Sequence, residues 1–179
     1  METPFSKFVK DNTKGELTGV EIGVFKGINA VYLLEDLPIK ELYLVDNYKP
    51  YWDGGCFHYF QEEMDRFYAE AINVVRPYFV KTMIIRHDSA WAKDLFPDGF
   101  FDFVYIDAGH TFQEVTDDIT FWLDKVKKGG IVGGHDYGTV NGQEVKEAVD
   151  SFFENKDWGK VMPLGMRVGE AMEWGIIKP

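Results

Sequence analysis

The chain has 179 residues, enough for one domain with a sizeable core and too few for two ordinary ones. With 45% hydrophobic and 16% aromatic residues it has the apolar content to fold rather than stay disordered. A formal net charge of -11, with no run of Lys or Arg, argues against nucleic acid as a partner, because phosphate neutralisation needs a basic stripe.

The opening METPFSKFVKDNTKGEL reads as a short helix over residues 3–11 and lacks the apolar core of a secretory signal. No later stretch reaches membrane-spanning length, so no membrane partner is expected. Cys56 stands alone, which excludes an internal disulfide framework and a cysteine-rich zinc site. These features together lead to the expectation of a cytoplasmic protein, one domain over residues 1–179 with its core in 17–179.

Further along, short apolar runs alternate with helical patterns. Strands are expected at LTGVEIG from Leu17, ELYLVD from Glu41, VKTMIIRH from Val80, FDFVYID from Phe101 and GGIVGGHD from Gly129. These five are nearly continuous in Val, Ile, Leu and aromatics, as strands buried on both faces should be. A long helix is expected over 57–76, ended by Pro77. Phe112, Val115, Ile119, Trp122 and Val126 make one apolar helical stripe, with Thr111 and Glu114 as a capping box and Gly129-Gly130 as its stop. Another helix follows the Asn141-Gly142 turn, marked by Val145, Ala148, Val149, Phe152 and Phe153. The last two strands, GKVMPL from Gly159 and MEWGIIK from Met172, are joined by a segment too short for a helical crossover. They should therefore pair antiparallel, as an edge hairpin.

The expected fold is an α/β, Rossmann-like doubly wound sheet: seven strands, mostly parallel, ending in an antiparallel hairpin, with helices on both faces. In this the chain resembles the class I S-adenosylmethionine methyltransferases. VEIGVFKG supplies Glu21, Gly23 and Gly27 at the end of the first strand, where glycine lets the backbone approach a ligand and turn freely. Asp46 closes the second strand, placed to accept hydrogen bonds from ribose hydroxyls. The four residues are expected to line a nucleoside pocket. A nicotinamide fingerprint would need glycine where Phe25 and Ile28 stand, an awkward fit for a diphosphate and one that S-adenosylmethionine does not require.

The segment RHDSAWAKDLFP resembles the family's adenine border, which carries Asp88 and Ser89 over as adenine-side residues. IDAGHTFQEV follows the fourth strand and IVGGHDYG the fifth, so Asp107, His110, His135 and Asp136 should meet at one sheet edge. This D-x-x-H … G-H-D-Y pattern resembles a small bacterial group that includes macrolide-sugar O-methyltransferases and relatives of cephalosporin-modifying enzymes. The likeness covers roughly residues 19–153.

That resemblance implies divalent-cation ligands at Asp107, His135 and Asp136, magnesium or manganese being the expected ion, with His110 as general base and Asp107 beside it in catalysis. His135 stands where the family has an acidic residue. It could bind a softer metal, orient Asp136, or mark a lost site. The aromatic NYKPYWDGGCFHYF suggests a lid loop over 47–57. The implied activity is O-methylation of a small hydroxylated acceptor such as a sugar or natural-product glycoside. A homodimer partner is a way to complete the acceptor pocket of so small a domain. The rival readings are a nicotinamide oxidoreductase and a non-catalytic adenosine-binding module.

Overall fold

A computed structural model of the chain describes residues 2–52, 58–138, 142–166 and 172–179. Helix α1 (Pro4–Asn12) starts where the Thr3 hydroxyl accepts the Ser6 N–H at 3.0 Å, with proline in its first turn. It buries Phe5, Phe8 and Val9. Then follow β1 (Leu17–Ile22), α2 (Ile28–Asp36) and β2 (Ile39–Val45). A two-residue pair, β3 (Tyr51–Trp52) with β4 (His58–Tyr59), leads into α3 (Gln61–Val75). The second half contains β5 (Thr82–Ile85), α4 (Ser89–Ala92), β6 (Phe101–Ile106), α5 (Phe112–Leu123), β7 (Val126–Gly134) and α6 (Gln143–Phe153). It closes with β8 (Met162–Met166) and β9 (Met172–Ile177).

The seven-stranded sheet runs β5-β2-β1-β6-β7-β9-β8. The first five strands in that order pair in parallel, β9 is antiparallel to β7, and β8 is antiparallel to β9. This is the expected doubly wound sheet with its antiparallel end. Alternation along β6 sets the two core layers. Val104 and Ile106 pack with Val115, Ile119, Trp122 and Val149 on one face. Phe103 and Tyr105 pack with Phe5, Leu33, Leu42 and Ala71 on the other. At Gly133 a Cβ would come within 2.4 Å of the Trp174 carbonyl and 2.5 Å of the Phe5 ring, which is why β7 is glycine where β9 and α1 close over it.

Several boundaries differ from expectation. The α5 stripe stops at Leu123, and Val126 starts β7 instead of ending the helix. An apolar residue three or four after the last fits a stripe equally well whether the chain has already turned into a buried strand. Helix α3 ends at Val75 and Pro77 lies in a 3-10 turn, Arg76–Tyr78. The helix begins at Gln61 and not near 57: His58 and Tyr59 are drawn into β4 instead, and residue 57 itself lies outside the described residues. β5 begins at Thr82, leaving Val80 93% exposed before it, and β8 begins at Met162 rather than Gly159.

Glu173 ties the two ends of the chain together. It is fully buried on β9, accepting the Phe5 N–H at 2.7 Å and the Tyr105 hydroxyl at 2.9 Å. Glu173→Ala should lower unfolding free energy by about 1–3 kcal/mol, since it strands buried donors. Urea denaturation of wild type and variant checks this; equal midpoints would show the tie to be unimportant.

Candidate active site

The ends of β1, β2, β6 and β7 meet at one edge of the sheet, where the strand order reverses between β1 and β6. Gly23 donates its N–H to Val45 O at 2.9 Å and takes a left-handed φ of 84°. A Cβ there would sit 1.9 Å from the carbonyl oxygen of Asp107, so only glycine lets β1 turn this close to β6. Gly27 caps α2, and Glu21 beneath the turn is 1% exposed and accepts the Asn29 amide at 2.9 Å.

Asp46 grips this turn from the side. One carboxylate oxygen accepts the N–H groups of Val24 and Phe25 at 2.9 Å each, and the other accepts that of Tyr48 at 2.8 Å. Tyr48 in turn donates its hydroxyl to Phe25 O at 3.0 Å. Asp46 therefore organises the turn, a duty the sequence did not reveal. Phe25, at a positive φ of 50°, packs its ring on Phe67 at 4.5 Å and Tyr59 at 5.7 Å. The β3–β4 pair is thus anchored to the glycine turn. Of the lid expected over 47–57, residues 53–57 lie outside the described residues.

At the edge expected to border adenine, Asp88 is held by the Lys49 ammonium at 2.6 Å and the Asn47 amide at 3.1 Å. The Lys49 hydrogen bond, with help from Asn47, keeps the Asp88 carboxyl below its usual range against a modest opposing effect of burial. Both partners went unforeseen. The Ser89 hydroxyl turns inward, donating to Asp118 at 2.6 Å and accepting the Trp122 indole N–H at 2.7 Å.

Asp118, 7% exposed on α5, was also missed. Burial pushes its carboxyl up to about 6, the Ser89 hydrogen bond only partly opposing this. The folded protein thus binds this proton more tightly than the unfolded chain does. The resulting stability is fully present below about pH 4 and lost as pH rises to about 6. Asp118→Asn, which keeps an acceptor for Ser89 without charge, should raise the melting temperature at pH 7 and lose that advantage near pH 4. Thermal denaturation at both pH values checks the sign; a lower melting temperature at pH 7 would contradict it.

The carboxyl ends of β6 and β7 gather all four expected residues. The Asp107 N–H bonds Ile22 O at 2.8 Å and the His135 N–H bonds Ile106 O at 3.1 Å, fixing both strand ends. His110 Nε2 lies 3.1 Å from Asp136 Oδ2 and 3.9 Å from Asp107 Oδ1. His135 Nδ1 lies 3.4 Å and 3.9 Å from the same two oxygens. Asp136 holds a positive φ of 57°, a strained conformation for a non-glycine residue of the kind that collects at functional sites.

The neighbouring carboxylates, Asp107 and then Asp136, raise His110 to about 10 against the lowering effect of burial. Burial works to raise Asp136, but the close approach of the His110 and His135 rings and their charge outweigh it and hold the carboxyl low. With nothing else beside it, His110 is a cation rather than the neutral imidazole that a general base requires.

The donor chemistry fits a divalent cation. One ligand atom each from Asp107, His110 and Asp136 lies within 4.8 Å of the others. The expected ligands were Asp107, His135 and Asp136; the geometry adds His110 to them and leaves His135 alongside. A small cavity of about 10 Å³, bordered by Asp107, His110, His135 and Trp174, adjoins the cluster and has room for about one water-sized sphere.

The methyltransferase domain family matches residues 20–137, from β1 to just past Asp136. The uncharacterised protein R132 of Acanthamoeba polyphaga mimivirus is 27% identical over 158 residues, covering 87% of this chain and 67% of its own. Among solved structures, a Streptococcus mutans protein provisionally assigned as a methyltransferase, in complex with SAH (S-adenosylhomocysteine), superposes with a TM-score of 0.69 at 14% identity. That match covers 100% of this chain and 99% of the other. An rRNA methylase from Streptococcus thermophilus has a TM-score of 0.68 at 13% identity, covering 99% and 98%. At such identities these two structures share the fold with this chain. Among the described residues no helix is long and apolar enough to cross a membrane.

Proposed function

This chain belongs to the methyltransferase domain family, and from that premise we propose that it transfers a methyl group from S-adenosylmethionine to an oxygen of a small hydroxylated acceptor, such as a sugar or natural-product glycoside. The observation that supports it best is the contact between the two halves of the site. Gly23, in the turn for the donor, lies directly against the backbone of Asp107, which heads the acidic and histidine cluster. A donor resting on that turn has its reacting end beside the groups that would meet the acceptor. The SAH complex of the Streptococcus mutans neighbour supports the choice of donor. The D-x-x-H … G-H-D-Y pattern supports the acceptor class and the macrolide-sugar subgroup.

In the reaction the acceptor oxygen attacks the methyl carbon, a C–O bond forms, the C–S bond breaks, and S-adenosylhomocysteine leaves. The hydroxyl proton must go elsewhere. A divalent cation held by Asp107 and Asp136 would supply a lowered hydroxyl pKa and a fixed oxygen position. The protein's own part is to align the acceptor and keep water out, and Asp107 and Asp136 are the carboxylates at this edge that would take the hydroxyl proton. The expectation of His110 as base holds only if its proton is displaced from between the two carboxylates.

Incubation with methyl-labelled S-adenosylmethionine and a panel of sugars and glycosides, followed by mass spectrometry, tests the reading. A methylated hydroxyl on at least one acceptor is the expected product. Methylation of nitrogen or carbon acceptors alone would overturn the O-methyl assignment.

A further inference from the structure

We infer that His110 is a metal ligand rather than the base, and that this centre, with imidazole as well as carboxylate donors, selects a borderline transition-metal ion over magnesium. The inference rests on the cation reading of the preceding section and goes beyond it in naming the donors and the class of ion.

The first support is where the nitrogen points. His110 Nε2 is shielded from solvent and lies 3.1 Å from Asp136 Oδ2, yet it makes no aligned hydrogen bond. A buried nitrogen this close to a carboxylate and not directed at it is arranged to share a third atom with it. Asp107 Oδ1 faces the same space, and the ligand atoms of all three residues lie within 4.8 Å of one another. Two ligands bound to one ion at about 2.0–2.2 Å cannot be much further apart than about 4.4 Å, so only slight adjustment is needed.

The second support is His135. Its Nδ1 stands 3.4 Å from Asp136 Oδ2 and 3.9 Å from Asp107 Oδ1, within reach of the same centre. Asp107 sits at the end of β6, His110 before α5, and His135 and Asp136 after β7, so three separately anchored segments supply the donors.

The chemistry of the donors decides the ion. Magnesium demands hard oxygen ligands in near-octahedral geometry and seldom takes imidazole. Imidazole suits zinc, iron, cobalt and nickel, and one or two histidines with carboxylates and open positions are common for such ions. The cluster offers two carboxylates and two imidazoles. Open positions on an ion held this way are where an acceptor oxygen would bind. A histidine whose lone pair is on the metal cannot accept the acceptor's proton, so His110 leaves the role of base.

The test uses the full chain stripped of metal with chelator, titrated with Co²⁺, Zn²⁺, Mn²⁺ and Mg²⁺ by calorimetry. One Co²⁺ or Zn²⁺ per chain should bind about 100-fold or more tighter than Mg²⁺. His110→Ala should weaken Co²⁺ binding by about 10-fold or more and leave the weak Mg²⁺ binding little changed. Wild-type protein labelled with ¹⁵N-histidine gives a readout that needs no variant: Zn²⁺ should shift the ring nitrogens of His110, and Mg²⁺ should not. Equal affinity for Mg²⁺ and Co²⁺, or His110 nitrogens unmoved by Zn²⁺, overturns the inference. S-adenosylhomocysteine binding, measured on the same metal-free samples, separates the two readings. Donor binding with failed metal arms sinks only this inference, and loss of donor binding sinks the methyltransferase reading itself.

Discussion

Asp107→Ala should slow methyl transfer by roughly 10²–10⁴-fold while changing S-adenosylhomocysteine affinity only a few-fold. Asp107 stands at the end of β6, its N–H fixed to Ile22 O at 2.8 Å. Its carboxylate faces both His110 Nε2 and His135 Nδ1 at 3.9 Å. On the proposed reading, removing it takes away a cation ligand, one of the two carboxylates beside His110 and one of two acceptors for the departing proton. The backbone that supports Gly23 stays, because alanine keeps the carbonyl. Single-turnover transfer to an acceptor found in the panel, with donor affinity measured in parallel, checks the split. Equal rates in wild type and variant would remove Asp107 from the chemistry. Equal loss of rate and donor affinity would instead make it a scaffold for the glycine turn.

Gly23→Ala is expected to do the reverse, lowering donor affinity by about 10-fold or more and stability by about 1–3 kcal/mol. At φ of 84° an alanine is strained, and its methyl would meet Asp107 O at 1.9 Å. Relief requires β1 and β6 to part at the point where, on the proposed reading, donor and acceptor sites join. Asp46 holds the neighbouring Val24 and Phe25 N–H groups at 2.9 Å, so the turn cannot simply swing away. Calorimetry with S-adenosylhomocysteine and urea denaturation measure the two effects. Wild-type affinity in the variant would mean that the donor does not rest on this turn.

The sheet was legible because its strands are nearly continuous apolar runs, and a connection too short for a helix forces the antiparallel end. The start of β7 at Val126 was not legible, since Val126 also fits the α5 stripe. Nor was the β3–β4 pair, which is only two residues long on each side and held by Phe25, Tyr59 and Phe67 rather than by its own pattern.

At the site, the convergence of Asp107, His110, His135 and Asp136 followed from their places after neighbouring strands. Their pairwise roles did not, because spacing along the chain does not say which nitrogen faces which carboxylate. Asp118 and Lys49 escaped for the same reason. Each acts on an expected residue, Ser89 or Asp88, across 29 and 39 positions of sequence, and no local motif marks such pairs.

Calorimetry of the full chain with S-adenosylhomocysteine, set against NAD under the same conditions, asks whether the edge built by Gly23, Asp46 and Asp107 holds a methyl donor. One S-adenosylhomocysteine per chain is expected, with a dissociation constant on the order of 1 µM, about −8 kcal/mol, and no matching heat from NAD. Binding of NAD in preference to S-adenosylhomocysteine, or binding of neither, would contradict it.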